Sequence, residues 1–268
     1  MAKRQLFTAL LLAVGSLTVG AQSKYDLNSD GKVDAADVVE LVNAIMKDET
    51  TQEETVTNGE PPAGVEAVDL GLPSGRKWAN MNVGAETPED YGLYFAWGET
   101  KGYTSNTSDG RIFRSSNYKW CNGSPFTLTK YCTETLYGTV DNKITLELKD
   151  DAAYMNWGSN WCMPTQADMQ ELIENTTNEW ITLNDIYGCK FTSKINGNYV
   201  FLPAAGFRSE SDLYELGKYG NYWSSSLDDT RSCYAFHLCF YFGLDNSMNT
   251  DGSSARDVGF TVRPVLRK

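Results

Sequence analysis

Short runs of alternating apolar and polar residues dominate the last third of the chain, from Asn196 to Val265. The clearest pair, Lys190–Ile195 and Asn198–Leu202, is separated by Asn196-Gly197. This dipeptide is typical of a type I′ turn, because both positions need positive φ. A further alternating run, Cys233–Tyr241, predicts another strand. The pattern therefore predicts a meander of short strands joined by polar loops, an arrangement that suits a rigid scaffold with a binding surface.

The upstream half adds one more hairpin and two short helices. Alternating runs on either side of Pro73-Ser74-Gly75 predict the hairpin. Asp150-Asp151 places acids in a first helical turn, where the helix dipole favours them. Thr165 and Asp168 have the spacing of a capping box ahead of the apolar stripe of a second helix. These elements add two short helices to the predicted meander of strands.

A long polar segment, Gly102–Thr139, separates the aromatic run Tyr91–Trp97 from the helices. A loop of that length without its own secondary structure usually has a function or internal ties. Cys121 with Cys132, and Cys162 with Cys189, are two disulfide pairs that an exported chain allows. Cys233 and Cys239 would lie about 20 Å apart on a straight strand, too far apart to bond to each other.

The first residues have the pattern of a secretory signal peptide, predicted over 1–21. Basic Lys3 and Arg4 precede the apolar run Leu6–Val19, and small residues lead to a cleavage site after Ala21. The apolar run is shorter than the roughly 20 residues that span a bilayer. The mature protein is therefore expected outside the cytoplasm, secreted or at a periplasmic or cell-surface location, with no membrane span.

Residues 22–47 form a predicted calcium-binding segment. Oxygen-bearing side chains at alternate positions of one loop, with Gly31 at the sharp turn, match the EF-hand pattern that Ca²⁺ requires. A helix, Ala35–Lys47, follows with one apolar face. Ca²⁺ is the one predicted cofactor, and the predicted ligands, with Lys32 contributing its carbonyl, are Asp26, Asn28, Asp30, Lys32, Asp34 and Asp37.

Composition separates this segment from the rest of the chain. Residues 48–63 are acidic, Thr-rich and free of aromatic residues, which predicts a disordered linker. Residues 64–268 then form the predicted main domain. The formal net charge of −12 makes nucleic acid a poor partner, because like charges repel.

The calcium loop and the residues after it resemble a dockerin repeat, because Asp37 stands at the last ligand position and Val38-Val-Glu-Leu-Val-Asn follows. Dockerins dock into cohesins of polysaccharide-degrading assemblies, so the resemblance implies a cohesin-like partner. Dockerins normally carry two such repeats, and this sequence contains one.

Seven motifs in the main domain occur in the order of a known family. The chain resembles the bacterial FISUMP-type major paralogous domain, which belongs with C-type lectin-like folds. The resemblance covers about residues 64–268 and implies an α+β fold with two short helices and a twisted antiparallel C-terminal sheet. It also implies that the first and last strands pair. The motifs begin at Val68 (VDLGLPSG), Trp97 (WGET), Asp150 (DDAA), Asn160 (NWCMPT), Phe201 (FLPAAG), Tyr222 (YWSSS) and Val262 (VRPV).

Sugar-binding C-type lectins hold calcium and sugar with motifs that this main domain lacks. Leu202-Pro-Ala and Trp223-Ser-Ser stand in their place, so calcium-bridged sugar binding is not expected there. The single histidine, His237, belongs to no nucleophile motif, and the chain has no G-x-S-x-G. The predicted function is therefore secreted, non-catalytic recognition of a glycan or cell-surface protein. The alternative is an accessory or enzymic component of a secreted polysaccharide-degrading apparatus.

Strand parity over Cys233–Tyr241 predicts that Ala235, His237, Cys239 and Tyr241 point outward. Residues 228–257 contain no Lys, Glu, Gln or Trp. Some C-type lectin-like proteins resembling this one are diversified by mutagenesis of Asn codons, which does not produce these four residue types. An ordinary Gly/Asn/Ser-rich loop beside a strand would lack them as well. The alternative location of the site is the Gly102–Thr139 loop. The predicted ligand-binding residues are Arg231, His237, Tyr241, Asp245, Asn246, Asn249 and Arg256.

Overall fold

A computed structural model describes Asp37 and residues 60–242 and 248–268. The chain divides into two compact units, 1–56 and 57–268. In the first unit, Asp37 is helical and exposes 2% of its surface. The predicted signal peptide and the other five predicted calcium ligands lie outside the described residues.

Strands predominate over helices in the described part of the second unit, consistent with an α+β or mainly-β fold. The two α-helices there are α1, Ala152–Trp157, and α2, Gln166–Asn175. The strands are β1 Ala67–Asp69, β2 Lys77–Ala79, β3 Trp161–Cys162, β4 Thr176–Leu183, β5 Ile186–Ser193, β6 Tyr199–Pro203, β7 Phe207–Ser209, β8 Asp212–Tyr214, β9 Tyr219–Leu227, β10 Tyr234–Tyr241, β11 Met248–Asn249, β12 Ser253–Ala255 and β13 Val265–Leu266.

The first sheet has the strand order β1-β2-β13-β3. The predicted hairpin around Pro73-Ser74-Gly75 is confirmed, with Asp69 paired to Lys77. The last strand joins the sheet through Val265, which pairs with the buried Trp78 of β2. The last strand therefore neighbours the second strand, and the direct pairing of first and last strands that the resemblance implied is wrong.

Both predicted helices are present, but the prediction that Asp150 and Asp151 lie in the first turn of α1 is wrong, because both residues precede Ala152. The Asp151 carboxylate caps α1 by accepting from the Tyr154 N–H at 2.9 Å, and it also accepts from the Met163 N–H at 2.8 Å. The Thr165 and Asp168 side chains form a full capping box at the start of α2. Met169 and Leu172 of α2 are fully buried, as an amphipathic helix requires.

A second sheet has the order β4-β5-β6, and its β5–β6 hairpin is the one that Asn196-Gly197 predicted. The type I′ turn is wrong, because only Gly197 of this dipeptide has positive φ, 76°. The Ser193 hydroxyl accepts from the Ile195 and Asn196 amides and closes a longer loop instead. Positive φ at two successive turn residues occurs at Asn184 and Asp185, φ 46° and 65°, between β4 and β5. Asn and Asp tolerate this region better than most residues.

The third sheet centres on β10, which pairs with β9 on one side and with β11 and β12 on the other. Its register shifts between Ala235 and His237, at a β-bulge or similar irregularity. The Trp223, Phe260 and Trp97 rings pack beside this sheet in the main hydrophobic core. The C-terminal strands thereby meet the long loop, and the candidate site lies where they meet.

Candidate functional site

A cavity of about 310 Å³ lies between the long loop and the segment that contains β10 and β12. Both locations that the sequence predicted for the ligand site contribute to it. Its volume is at the lower end of the range for small-molecule sites. The lining residues are Ser115, Tyr118, Cys121, Pro125, Phe126, Leu128, Tyr137, Cys233, Tyr234, Ala255, Arg256 and Asp257.

Aromatic side chains form much of the cavity surface. The Phe126 and Tyr137 rings stack with centroids 5.9 Å apart and planes 8° apart, and Phe126 is 57% exposed. Tyr234 contributes another ring, over which the Arg231 guanidinium lies at 4.7 Å from the centroid. Flat rings at least partly open to solvent bury much area at low entropic cost when a ligand stacks on them.

The polar groups of the cavity include the Asp257 carboxylate, the Ser115 hydroxyl and the Cys121 and Cys233 thiols. The Ser115 hydroxyl donates to Asp257 Oδ2 at 2.5 Å. The Cys121 thiol donates to the Ser115 carbonyl at 2.7 Å. Burial raises the pKa of the Cys121 and Cys233 thiols above the usual range. Both thiols are therefore neutral near pH 7 and contribute small, weakly polar surface to the cavity.

Arg256 supports the cavity from beneath. Its side chain is fully buried, and its Nε donates to the Tyr118 hydroxyl at 2.9 Å. Nη1 donates to the carbonyls of Tyr131 and Ser232 at 3.0 and 2.9 Å, and Nη2 to that of Lys130 at 3.1 Å. These bonds tie the long loop to the residue that precedes Cys233. The predicted place of Arg256 on an exposed face is wrong, because its guanidinium is used inside the protein.

His237 is also buried, with 5% of its surface exposed, so its predicted outward orientation is wrong. The alternation of β10 holds, but both faces of the strand are covered, because Ala235 belongs to the main hydrophobic core and Leu238 and Phe240 belong to a second one. Ala235 and His237 therefore face the core, whereas Cys239 remains partly exposed as predicted. The imidazole packs against the Trp223 and Phe260 rings, with centroids 5.9 and 4.9 Å away.

Three other predicted ligand residues lie at the surface, at separate places. Arg231 reaches the cavity rim through its contact with Tyr234. Tyr241 stacks on Tyr219 with centroids 5.5 Å apart, at the far end of β10, which is about 20 Å along the strand. Asn249 accepts from the Gly252 amide at 3.1 Å. Asp245 and Asn246 lie outside the described residues, so their role stays a prediction.

Ion pairs hold the long loop against the rest of the unit. Arg208 Nη1 contacts Asp109 Oδ2 at 2.6 Å, and Arg111 Nη2 contacts Glu99 Oε2 at 2.8 Å. Lys130 Nζ lies 2.5 Å from Oδ2 of the buried Asp150. The six cysteines are free thiols, so the two predicted disulfides are absent and these polar contacts act in their place.

Apart from Arg256, the residues that line the cavity were not among the predicted ligand-binding residues. Tyr118, Phe126 and Tyr137 lie in a loop whose length alone suggested function, and no periodic pattern singles them out. Asp257 follows β12 and faces the same cavity. The one feature of the sequence that could have indicated them is the presence of aromatic residues within a polar loop. Within the described residues, no group of three or more His, Cys, Asp or Glu converges as a metal site.

We predict that Arg256→Met lowers the free energy of unfolding by at least about 3 kcal/mol, because three buried carbonyls and the Tyr118 hydroxyl lose their donor. Arg231→Met is the matched control, since Arg231 is surface-exposed and its loss should cost about 1 kcal/mol or less. Urea denaturation of both variants measures the difference. Equal losses in the two would contradict the assigned role of Arg256.

We predict an acid-dependent loss of stability from His237. Burial lowers its pKa to about 4, whereas an unfolded histidine titrates near its usual value of about 6.5. Protons therefore bind the unfolded chain preferentially, and stability is lost as the pH falls from about 6.5 to about 4, by up to about 3 kcal/mol. His237→Phe should remove this part of the slope in denaturant titrations across that range.

Asp151 titrates in the same interval with the opposite sign, because burial raises its pKa to about 6. Asp151 contributes equally to the stability of the unmodified protein and of His237→Phe, so its contribution cancels when the two stability curves are subtracted. The chain has one histidine, so no other imidazole contributes. Parallel pH–stability curves for the protein and its His237→Phe variant would refute the prediction.

Comparison with known proteins adds no relative to this description. No protein-family model matches the chain. Neither a curated protein nor a solved structure shows a significant match. Within the described residues, no helix is long and apolar enough to cross a bilayer.

Proposed function

We propose that this chain is an exported, non-catalytic recognition protein whose cavity binds a neutral sugar residue of a glycan. The observation that carries the proposal is the combination of two stacked rings, of which Phe126 is exposed, with a carboxylate in one small cavity. A pyranose has an apolar face that packs on an aromatic ring and hydroxyl groups that donate to a carboxylate. Phe126 and Tyr137 supply the rings, and Asp257 supplies the acceptor.

The charges around the cavity favour an uncharged ligand. The buried Arg256 guanidinium and the Asp257 carboxylate belong to adjacent residues, so their charges offset each other at the cavity. Among the described residues, no carboxylate lies within ion-pair distance of Arg256, and its donors are directed at carbonyls and a hydroxyl. A cation would meet Arg256, and an anion would meet Asp257 and the overall charge of −12.

A protein ligand is the second candidate, and one observation favours it. Phe126 at the cavity and Leu136 on the same loop are 57% and 64% exposed. Exposed apolar side chains near a cavity are common at protein-binding sites. Arg231 and Tyr234, whose side chains stack at the rim, add residue types that often anchor such interfaces.

Assignment to the C-type lectin-like, FISUMP-type domain is part of the same proposal. The sequence motifs support it, together with an α+β arrangement in which a long loop and C-terminal strands enclose the cavity. The predicted signal peptide supports a secreted, periplasmic or cell-surface location. Membership in a polysaccharide-degrading apparatus, through a cohesin-like partner or as an enzyme, remains the alternative, and release of saccharides by the purified protein would distinguish it.

We predict that the full-length protein binds neutral glycans on an array that also carries sulfated and sialylated ones. Tyr137→Ala and Asp257→Asn should each weaken binding at least about tenfold, because they remove a stacking ring and a charged acceptor. The matched controls are Tyr187→Ala, an exposed tyrosine outside the cavity, and Asp229→Asn, an exposed acid. Binding confined to anionic glycans, or unchanged in both cavity variants, would contradict the proposal.

We also propose that Ca²⁺ binds the loop from Asp26 to Asp37. The alternating oxygen ligands of the sequence support this, and Asp37 is helical and buried, as a residue at the loop–helix junction would be.

We predict heat from Ca²⁺ titration of the full-length protein, with the modest affinity expected of one loop. Asp30→Ala should abolish this heat, because it removes one carboxylate ligand. Asp229→Asn should leave it unchanged. Equal heats for Asp30→Ala and the unmodified protein would exclude this loop as the site.

A further inference from the structure

A second groove, of about 620 Å³, lies between β1 and β6. It shares no lining residue with the cavity described above. Both strands are edges of their sheets in the described structure, since β1 pairs with β2 alone and β6 with β5 alone. Its lining includes the side chains of Glu66, Asp69, Asn80, Asn198 and Tyr199.

The backbone of β1 presents unpaired groups to this groove. The Asn80 N–H donates to the Glu66 carbonyl at 3.1 Å, which makes these two residues a hydrogen-bonded pair of the antiparallel ladder. Hydrogen-bonded and non-bonded pairs alternate along such a ladder. Ala67, paired with Ala79, is therefore in a non-bonded pair, and its N–H and carbonyl point away from β2.

The same alternation applies to β6. The Ser193 N–H donates to the Asn198 carbonyl at 2.8 Å, so the next pair, Thr192 with Tyr199, is non-bonded. The N–H and carbonyl of Tyr199 therefore point away from β5, and they have no hydrogen-bond partner among the described residues. Two residues farther along, the Phe201 carbonyl accepts from Arg263 Nη2 at 2.8 Å, which closes that end of the groove.

Side-chain amides already occupy part of the β1 edge. Asn196 and Asn198 both donate through Nδ2 to the Asp69 carbonyl, at 2.9 and 2.8 Å. The Asp69 carbonyl therefore already has donors, whereas otherwise it could accept from the N–H of an added strand. The neighbouring outward groups, at Ala67, have no such substitute. Unpaired edges of this kind are the surfaces to which extended peptides add.

The acidic side chains indicate the chemistry of the guest. Glu66 is exposed and has no cation within ion-pair distance among the described residues. Asp69 has a cation, Lys77, at 3.4 Å, and Lys190 lies over the Tyr199 ring at 4.4 Å. The uncompensated charge of the groove is therefore the Glu66 carboxylate, at the β1 end.

From these observations we propose that the groove binds an extended peptide segment of a partner protein. The peptide adds to the edges of β1 and β6 through the backbone groups of Ala67 and Tyr199. It places a basic side chain beside Glu66.

Fluorescence anisotropy with a labelled, alternating lysine–valine hexapeptide and the full-length protein tests this proposal. A second peptide carries N-methyl groups on alternate residues, which preserves its charge but removes donors. We expect it to bind at least about tenfold more weakly, because backbone pairing supplies much of the affinity. Equal binding of the two peptides would mean that charge attraction alone holds them on the protein. This result would overturn the proposal.

Ala67→Pro supplies the complementary test on the protein side. It removes the outward N–H, and proline is tolerated at such edge positions because the β1–β2 ladder does not use that group. We expect about tenfold weaker binding of the unmethylated peptide with an unchanged melting temperature. Ala63→Pro, in the exposed segment before β1, is the matched control and should bind normally. Equal binding by both variants would overturn the proposal.

Discussion

The buried guanidinium of Arg256 is the interaction on which the candidate site depends. It donates to carbonyls of Lys130 and Tyr131 in the long loop and of Ser232 before β10. A loop of this length has few backbone ladder bonds of its own, so its position is decided by such contacts. Arginine suits this role because its rigid fork satisfies several acceptors at once. The Ser115–Asp257 and Thr133–Ser232 hydrogen bonds join the same two walls, and the Arg256 donors are the ones that are buried.

The chemistry of the cavity follows from this anchoring. Because Arg256 is fixed below the aromatic wall, its charge stays close to that of Asp257 while its donors are already used. The open surface presented to a ligand is then mostly ring faces, neutral thiols and one carboxylate. Such a surface favours flat, hydroxylated or apolar ligands over ions. Recognition through aromatic area and a few polar contacts is also the mode that antibody-like loops use.

The two candidate sites differ in the physical basis of recognition. The cavity presents side chains, so its specificity depends on individual residues of the long loop. The groove presents the backbone of two sheet edges, and its outward groups exist because antiparallel ladders alternate bonded and non-bonded pairs. A site of the second kind tolerates varied guest sequences, provided that the guest is extended. The acidic Glu66 restricts that tolerance to segments with a basic residue nearby.

Local pattern by itself determined the elements whose physics is local. The capping box of Thr165 and Asp168, the hairpin around Pro73-Ser74-Gly75 and the buried stripe of α2 all formed as predicted, since neighbouring residues supply the interactions. Only the tertiary structure decided the site. Trp223 and Phe260 of the main core cover the face of β10 on which His237 lies, and carbonyls inside the protein accept from the Arg256 guanidinium. Both outcomes depend on partners roughly 15 to 125 residues away, and the alternation of apolar and polar positions contains no information about such distant contacts.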